Sequence, residues 1–535
     1  MSQKAKKNFL GGAAILTVAL ALVKVIGFVY KIPLTSILEG DGFGYYNDAY
    51  QVYSLLFVIS TGGIPVAIAK MISESNAVGR INEPKKILSI ALKAFSVIGI
   101  IGTLVLVFGA KWFAEVVVKT PESTISIIAV APAIFFVSLG AAFKGYFQGY
   151  KNMAPTAVFQ IIEALTKLLG FVVVFVLMAM GYKDRPDVLA CGAILGVTLG
   201  SFTSTVYMFI RFYFGKEEID VSVQNPIESR SNSALFRAMV KIAVPVTISA
   251  SVMSITSLLD MIFVKNSLIA SGLTAKTANF VYGSYAGCCY SLFNLPPTIT
   301  QTIGISVLPF ISALFSQGKI KESHKNMDSS MRIVSLIAAP CAIGLSFFAK
   351  PILSLIYPIP KEVAVAAPAF TILALGIYLV AIVYPTSLFL QACGKASVPM
   401  ISMFVGAVLK IIINIVLVSN PGIRINGAPY GTLACYGSIL VINLVMLYKQ
   451  QKYKPELLSV FIKPLGAAVI SVGAARLLYN LLGGGKLMTL ASIGVAGALY
   501  IALILLFKTL NTFDVSLLPK GEKIANVLTK KGLIK

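Results

Sequence analysis

Apolar runs long enough to cross a bilayer recur from one end of this chain to the other, and lysines stand inside several of them. A spanning helix needs roughly 17 to 25 predominantly apolar residues. By that measure the sequence holds about fourteen spans, at 9 to 37, 45 to 70, 87 to 109, 123 to 143, 153 to 181, 188 to 214, 238 to 269, 278 to 316, 326 to 349, 363 to 391, 398 to 420, 428 to 448, 460 to 481 and 488 to 508. Hydrophobic residues make up 57% of the chain and charged ones 12%. That balance excludes a water-soluble globule and implies an all-α polytopic membrane protein, in which each helix satisfies its own backbone. Spans one, seven and eight exceed a bilayer's thickness and are expected to tilt, bend or project.

The formal net charge of +24 is scattered through short segments between the apolar runs, not gathered into a nucleic-acid-binding patch. Membrane topology accounts for it: with the N-terminus in the cytoplasm, most loop Lys and Arg fall inside, which places both termini there. The expected location is a cytoplasmic membrane. Lys4, Lys6 and Lys7 precede an apolar run that continues past Lys24 to Ile37 without a small-residue cleavage site, so it reads as the first span and not a removable signal. The six cysteines lack paired metal spacing and read as small core residues.

An internal repeat divides the spans. APAIFFVSLG from Ala131 leads to Gln148, Pro155 and Lys167; APAFTILALG from Ala367 leads to Gln391, Pro399 and Lys410. Gln and Lys are nineteen residues apart in both. FVYK ending at Lys31 is echoed by IFVK ending at Lys265. The expected organisation is an N-lobe at 1–214, a cytoplasmic loop at 215–237, a C-lobe at 238–448, an extra helical pair at 449–508 and a tail at 509–535. Parallel repeats of this kind are a transporter architecture with the site between lobes, and they make a functional monomer plausible.

Ionisable residues at membrane depth mark the candidate site. An ammonium near the bilayer centre costs roughly 2.5 to 3.5 kcal/mol and normally faces a partner or a watery cavity. Lys24 lies roughly 20 to 24 Å along span one, too deep to snorkel to the inner face. Lys31 follows it, Asp48 opens span two, and Asp260 and Lys265 share span seven, five positions apart. Glu163 precedes Lys167 by four residues, the favoured order for an intrahelical ion pair. Lys410, its repeat partner, has Gly406 where the acid would stand. Pro296 and Pro297, beside Asn294 and Gln301, are placed to bend span eight around a cavity. The excess of deep lysines over deep acids suits an anionic ligand such as a phosphate or pyrophosphate. There is no phosphate-binding GxxxxGK[ST] loop, the one histidine, His324, falls in a loop, and no acid pair of hydrolase type is evident. Neither enzyme chemistry nor a cofactor is expected; an ion gradient or the membrane potential is the expected drive.

Residues Lys24 to Phe28 (KVIGF), Gly63 to Glu74 (GIPVAIAKMISE) and Phe147 to Glu163 (FQGYKNMAPTAVFQIIE) resemble the polysaccharide-transporter branch of the multidrug, oligosaccharidyl-lipid and polysaccharide flippase superfamily. Within it the chain is similar to the stage V sporulation protein B and lipid II flippase group. The resemblance implies alternating-access export of an undecaprenyl-pyrophosphate-linked saccharide, its pyrophosphate held in a cationic cavity. Lys24 occupies the place of that family's first-helix basic residue. Lys31 stands one position beyond its second, and Asp48, Ala49 and Tyr50 match its D-A-F. The family's deeper second-helix arginine has no counterpart near Thr61, nor its eighth-helix arginine between Phe280 and Gly318. Lys265 is the residue placed to compensate. An ammonium at Lys410 is unsuited to the sodium site of some relatives. The last two spans resemble a pair that holds the lipid tail. Expected partners are thus the lipid-linked anionic saccharide, the bilayer and envelope-synthesis enzymes. Lipid II is the leading expected substrate, with a capsule, teichuronic or spore-cortex precursor as the alternative of the same class; an ion-coupled drug exporter and a non-transporting scaffold are the other classes.

Overall fold

The computed structural model describes residues 3–80, 82–150, 152–215, 229–395, 397–511 and 514. Every regular element among them is helical. Ten are long and apolar enough to cross a membrane, or eleven when the pair Pro360–Leu373 and Gly376–Ala392, bent by 46°, is taken as one. Fourteen spans are consistent with this set. The run Val25–Asn76 holds the first two, and the seventh and eighth correspond to helices of 39 and 42 residues.

The chain divides into two compact units, Met1–Lys265 with Thr274–Gly283, and Asn266–Leu273 with Ser284–Lys535. In the first, α1 (Gln3–Thr61) is interrupted at Glu39, where φ is 54°. The break falls in the acidic turn between the first two expected spans; a positive φ at a non-glycine residue ends helical geometry there. α2 (Ile64–Ala77) resumes after Gly62 and Gly63, with the Gly63 amide donating to Thr247 Oγ1 at 3.0 Å. The unit continues with α3 (Glu83–Trp112), α4 (Thr124–Gly149), α5 (Ala154–Lys167), α6 (Leu169–Leu177), α7 (Pro186–Phe214) and most of α8 (Asn232–Ala270). One core cluster packs Ile68 and Ile72 of α2 against Ala91 of α3 and Phe147 of α4.

Small residues let these helices approach closely, as in other membrane bundles. A methyl group at Gly196 of α7 would collide with the Lys167 carbonyl, and one at Gly200 would come within 2.7 Å of the Glu163 carbonyl. These contacts fix how far α5 stands from α7. Buried Glu83 pins the segment entering α8: it accepts from the Arg230 amide at 2.8 Å, from its guanidinium at 2.7 and 3.0 Å and from Ser75 at 2.6 Å. The rest of the expected inter-lobe loop, 216–228, lies outside the described residues.

α9 (Ala275–Ser316) passes from the first unit into the second. It runs through Pro296 and Pro297 as one helical element. The second unit adds α10 (Ile320–Phe347), α11 (Ala349–Ile356), α12 (Pro360–Leu373), α13 (Gly376–Ala392), α14 (Ser397–Val418), α15 (Ala428–Gln451), α16 (Lys463–Leu481) and α17 (Lys486–Leu506). His324 sits on α10, not in a loop: the polar stretch before the span continues the helix, and the ring meets Tyr453 edge-on at 5.2 Å. Tyr500 of α17 donates to the Leu336 carbonyl of α10 at 2.9 Å, fastening the extra pair to the unit. Leu481 and Leu487 are more than four-fifths exposed at the ends of that pair. Such surfaces suit lipid and not water. All six cysteines are free thiols.

Candidate functional site

The structure gathers Asp48 and Lys265 into one buried cluster of the first unit. Lys265 Nζ donates to Asp48 Oδ1 and Oδ2 at 2.9 and 2.8 Å, to Thr120 Oγ1 at 2.8 Å and to Asn279 Oδ1 at 2.9 Å. Ser123 donates to Asp48 Oδ2 at 2.9 Å, and Asn279 Nδ2 donates to the Asp41 carbonyl at 3.1 Å. An ammonium has three protons and no lone pair, so these acceptors use its capacity in full. Lys265 is 2% exposed and Asp48 is wholly buried. The pair is closed to a ligand as it stands: an anion meets Lys265 only after Asp48 lets go.

The other expected residues lie apart from this cluster or carry less description. Asp260, on α8 with Lys265, is buried but makes no ion pair with it. Lys31 is half-buried on α1, and its carbonyl accepts from Thr35 at 2.9 Å. Lys410 is half-buried on α14 of the second unit. Lys24 falls within helix α1, and its side chain lies outside the described residues.

A second site forms around Glu163 and Lys167, the residues expected to make an intrahelical ion pair. Glu163 and Lys167 on α5 line a recess of about 170 Å³ together with Tyr50, Tyr53, Ser54 and Phe57 of α1. The ion pair expected from their spacing is absent from the ion pairs among the described residues. Lys167 instead lies over the rings of Tyr50 and Tyr30, 5.0 and 5.7 Å from their centroids. Four-residue spacing brings two side chains to one face without joining them, and the negative ring faces compete for the ammonium. A regular pattern would have found these residues: Phe43, Tyr46, Tyr50, Tyr53 and Phe57 alternate three and four apart, which places their rings on one helix face. Their successive centroids are 5.7 to 6.1 Å apart. Nothing local in the sequence marks Thr120 or Asn279 as partners of Lys265.

Kinked apolar helices in two units, repeated lysine-bearing elements and buried charged residues fit a polytopic helical transporter of the multidrug, oligosaccharidyl-lipid and polysaccharide superfamily. The fold is shared with solved members. "Lipid II flippase MurJ, inward closed conformation" superposes with a TM-score of 0.68 at 16% identity, covering 92% of this chain and 98% of that one. An inward-facing multidrug resistance MATE family transporter gives 0.59 at 13% identity, covering 82% and 97%. The chain belongs to the family described as polysaccharide biosynthesis protein, whose profile matches residues 9–315; a MatE profile matches 245–416. Among curated relatives, stage V sporulation protein B of Bacillus subtilis (strain 168) is 26% identical over 96% of this chain and 98% of its own length. Lipid II flippase MurJ of the same organism is 22% identical over 84% of each.

Proposed function

We propose that this protein is a flippase that carries an undecaprenyl-pyrophosphate-linked saccharide from the inner to the outer leaflet of the bacterial cytoplasmic membrane by alternating access, with both termini cytoplasmic. Lipid II is the leading substrate. The observation that carries the reading is the recess of the first unit, where a lysine and a glutamate meet a row of aromatic rings within membrane-spanning helices. Such a surface presents a cation, an acceptor and ring faces to one ligand, as a charged glycan headgroup requires. Lys24, Lys31 and Lys410 are the further lysines assigned to the substrate. Asp48 and Asp260 order their surroundings, and Lys265 joins once released from Asp48. The exposed apolar faces of α16 and α17 supply a path for the prenyl tail. No catalytic step is assigned to the chain, and an ion gradient or the membrane potential provides the drive.

A second reading within the same class is another lipid-linked glycan, favoured by the near full-length likeness to a sporulation protein. The experiment is leaflet-resolved detection of lipid II in cells where this protein is the sole flippase, with Lys24→Ala at matched expression. Outer-leaflet lipid II with the wild type and its loss in the mutant is the expected result. No exposure with either protein moves the assignment to another lipid-linked glycan.

A further inference from the structure

We propose that the recess of the first unit is a subsite for a single sugar ring, stacked on Tyr50, Tyr53 and Phe57 and held at its edge by Glu163, Lys167 and Ser54. The inference rests on the flippase reading and says which part of the substrate the first unit holds.

Three features separate this recess from ordinary packing. The aromatic stripe of α1 faces two charged residues, although an aromatic stripe in a helical core meets other apolar groups. Those charges are not joined to each other: Lys167 rests on ring faces and Glu163 lines the recess. Their donor and acceptor character is complementary. A carboxylate accepts from sugar hydroxyls, an ammonium donates to ring, hydroxyl or amide oxygens, and the Ser54 hydroxyl does either.

The chemistry of the lining also rejects the competing ligands. A metal cation is disfavoured by the Lys167 ammonium in the recess. A bare phosphate is disfavoured by Glu163 and by the electron-rich faces of three rings. A drug-sized molecule needs a pocket of roughly 300 to 1,000 Å³, whereas this recess measures about 170 Å³. A pyranose fits both the scale and the polarity: its C–H face meets the negative ring faces, and its hydroxyls turn to the charged edge.

The test uses purified full-length protein in detergent micelles, with methyl N-acetylglucosaminide as the probe and inorganic pyrophosphate as the competitor, read by saturation-transfer-difference NMR. The wild type is expected to saturate the ring protons of the sugar, with no displacement by pyrophosphate. Tyr50→Leu and Glu163→Gln are expected to weaken sugar binding about tenfold, and Tyr50→Phe to hold it within about twofold. If Tyr50→Leu fails to fold, Glu163→Gln, which keeps the side-chain volume, carries the comparison. Absence of a sugar signal with the wild type, unchanged affinity in the folded variants, or displacement by pyrophosphate would each overturn the subsite. Reconstituted translocation of an undecaprenyl-pyrophosphate-linked saccharide separates the two claims. Translocation with unaltered sugar binding in the variants removes the subsite alone; variant-sensitive sugar binding without translocation keeps the subsite and removes the flippase reading.

Discussion

Lys265 and Lys167 belong to the same compact unit and both lie on apolar helices, yet their surroundings differ in kind. Lys265 has four oxygen acceptors within 2.9 Å and almost no exposed surface. Lys167 has aromatic rings at 5.0 and 5.7 Å and a recess beside it. The first arrangement satisfies an ammonium so fully that the residue serves the structure of the state it is in. The second leaves hydrogen-bonding capacity that a ligand can use. Deep lysines in one sequence therefore do not form one class, and depth along the span does not sort them.

Changing Lys265 offers the sharpest way to break this contrast. Lys265→Ala strands the buried Asp48 carboxylate and is expected to cost about 3 to 5 kcal/mol, seen as a lowered unfolding temperature in detergent. Asp48→Asn combined with Lys265→Ala removes the stranded charge and is expected to recover a substantial part of the loss. Equal destabilisation by the single and double variants would show that the pair is not the source of the effect.

A smaller change moves Lys167 without altering it. Gly196→Val forces α7 away from the Lys167 carbonyl, and overpacking of this kind costs about 1 to 3 kcal/mol. Translocation is expected to fall further than the remaining folded fraction explains, because the recess is displaced along with α5. Activity that simply follows the folded fraction would separate recess geometry from transport.

The smallest effect on stability is expected from Lys167→Met, about 1 kcal/mol from the lost ring contacts, since no fixed oxygen acceptor loses its partner. Its consequence should be larger in transport than in stability. A large loss of stability would mean that Lys167 resembles Lys265 after all.

The repeat sharpens the same contrast between units. Gly406 stands where Glu163 stands in the first copy, and a methyl group there would come within 2.9 Å of the Cys435 carbonyl on α15. Close helix packing thus occupies the position that carries a carboxylate in the first unit.

The spans were legible because lipid leaves a long apolar run few alternatives to a helix, and the break at Glu39 falls within the expected acidic turn. Spacing was a weaker guide to partners. Glu163 and Lys167 stand at ion-pair spacing, but the rings of Tyr50 and Tyr30 attract the ammonium instead. The aromatic stripe was present in the sequence; inside an apolar run it has the look of core until the charged face opposite it is known. Thr120 and Asn279 come from separate elements far along the chain from Asp48, and only the folded arrangement brings them to Lys265. His324 shows the converse limit: polar residues ahead of a span read as loop, although nothing prevents them from extending the helix.

The most direct measurement is translocation of an undecaprenyl-pyrophosphate-linked saccharide in proteoliposomes by wild type and Lys167→Met, compared at equal amounts of folded protein. The account predicts transport by the wild type and loss of most of it in the variant, with unfolding temperatures that differ far less than those of wild type and Lys265→Ala. Equal transport by the two proteins would contradict the assignment of the recess to the substrate path.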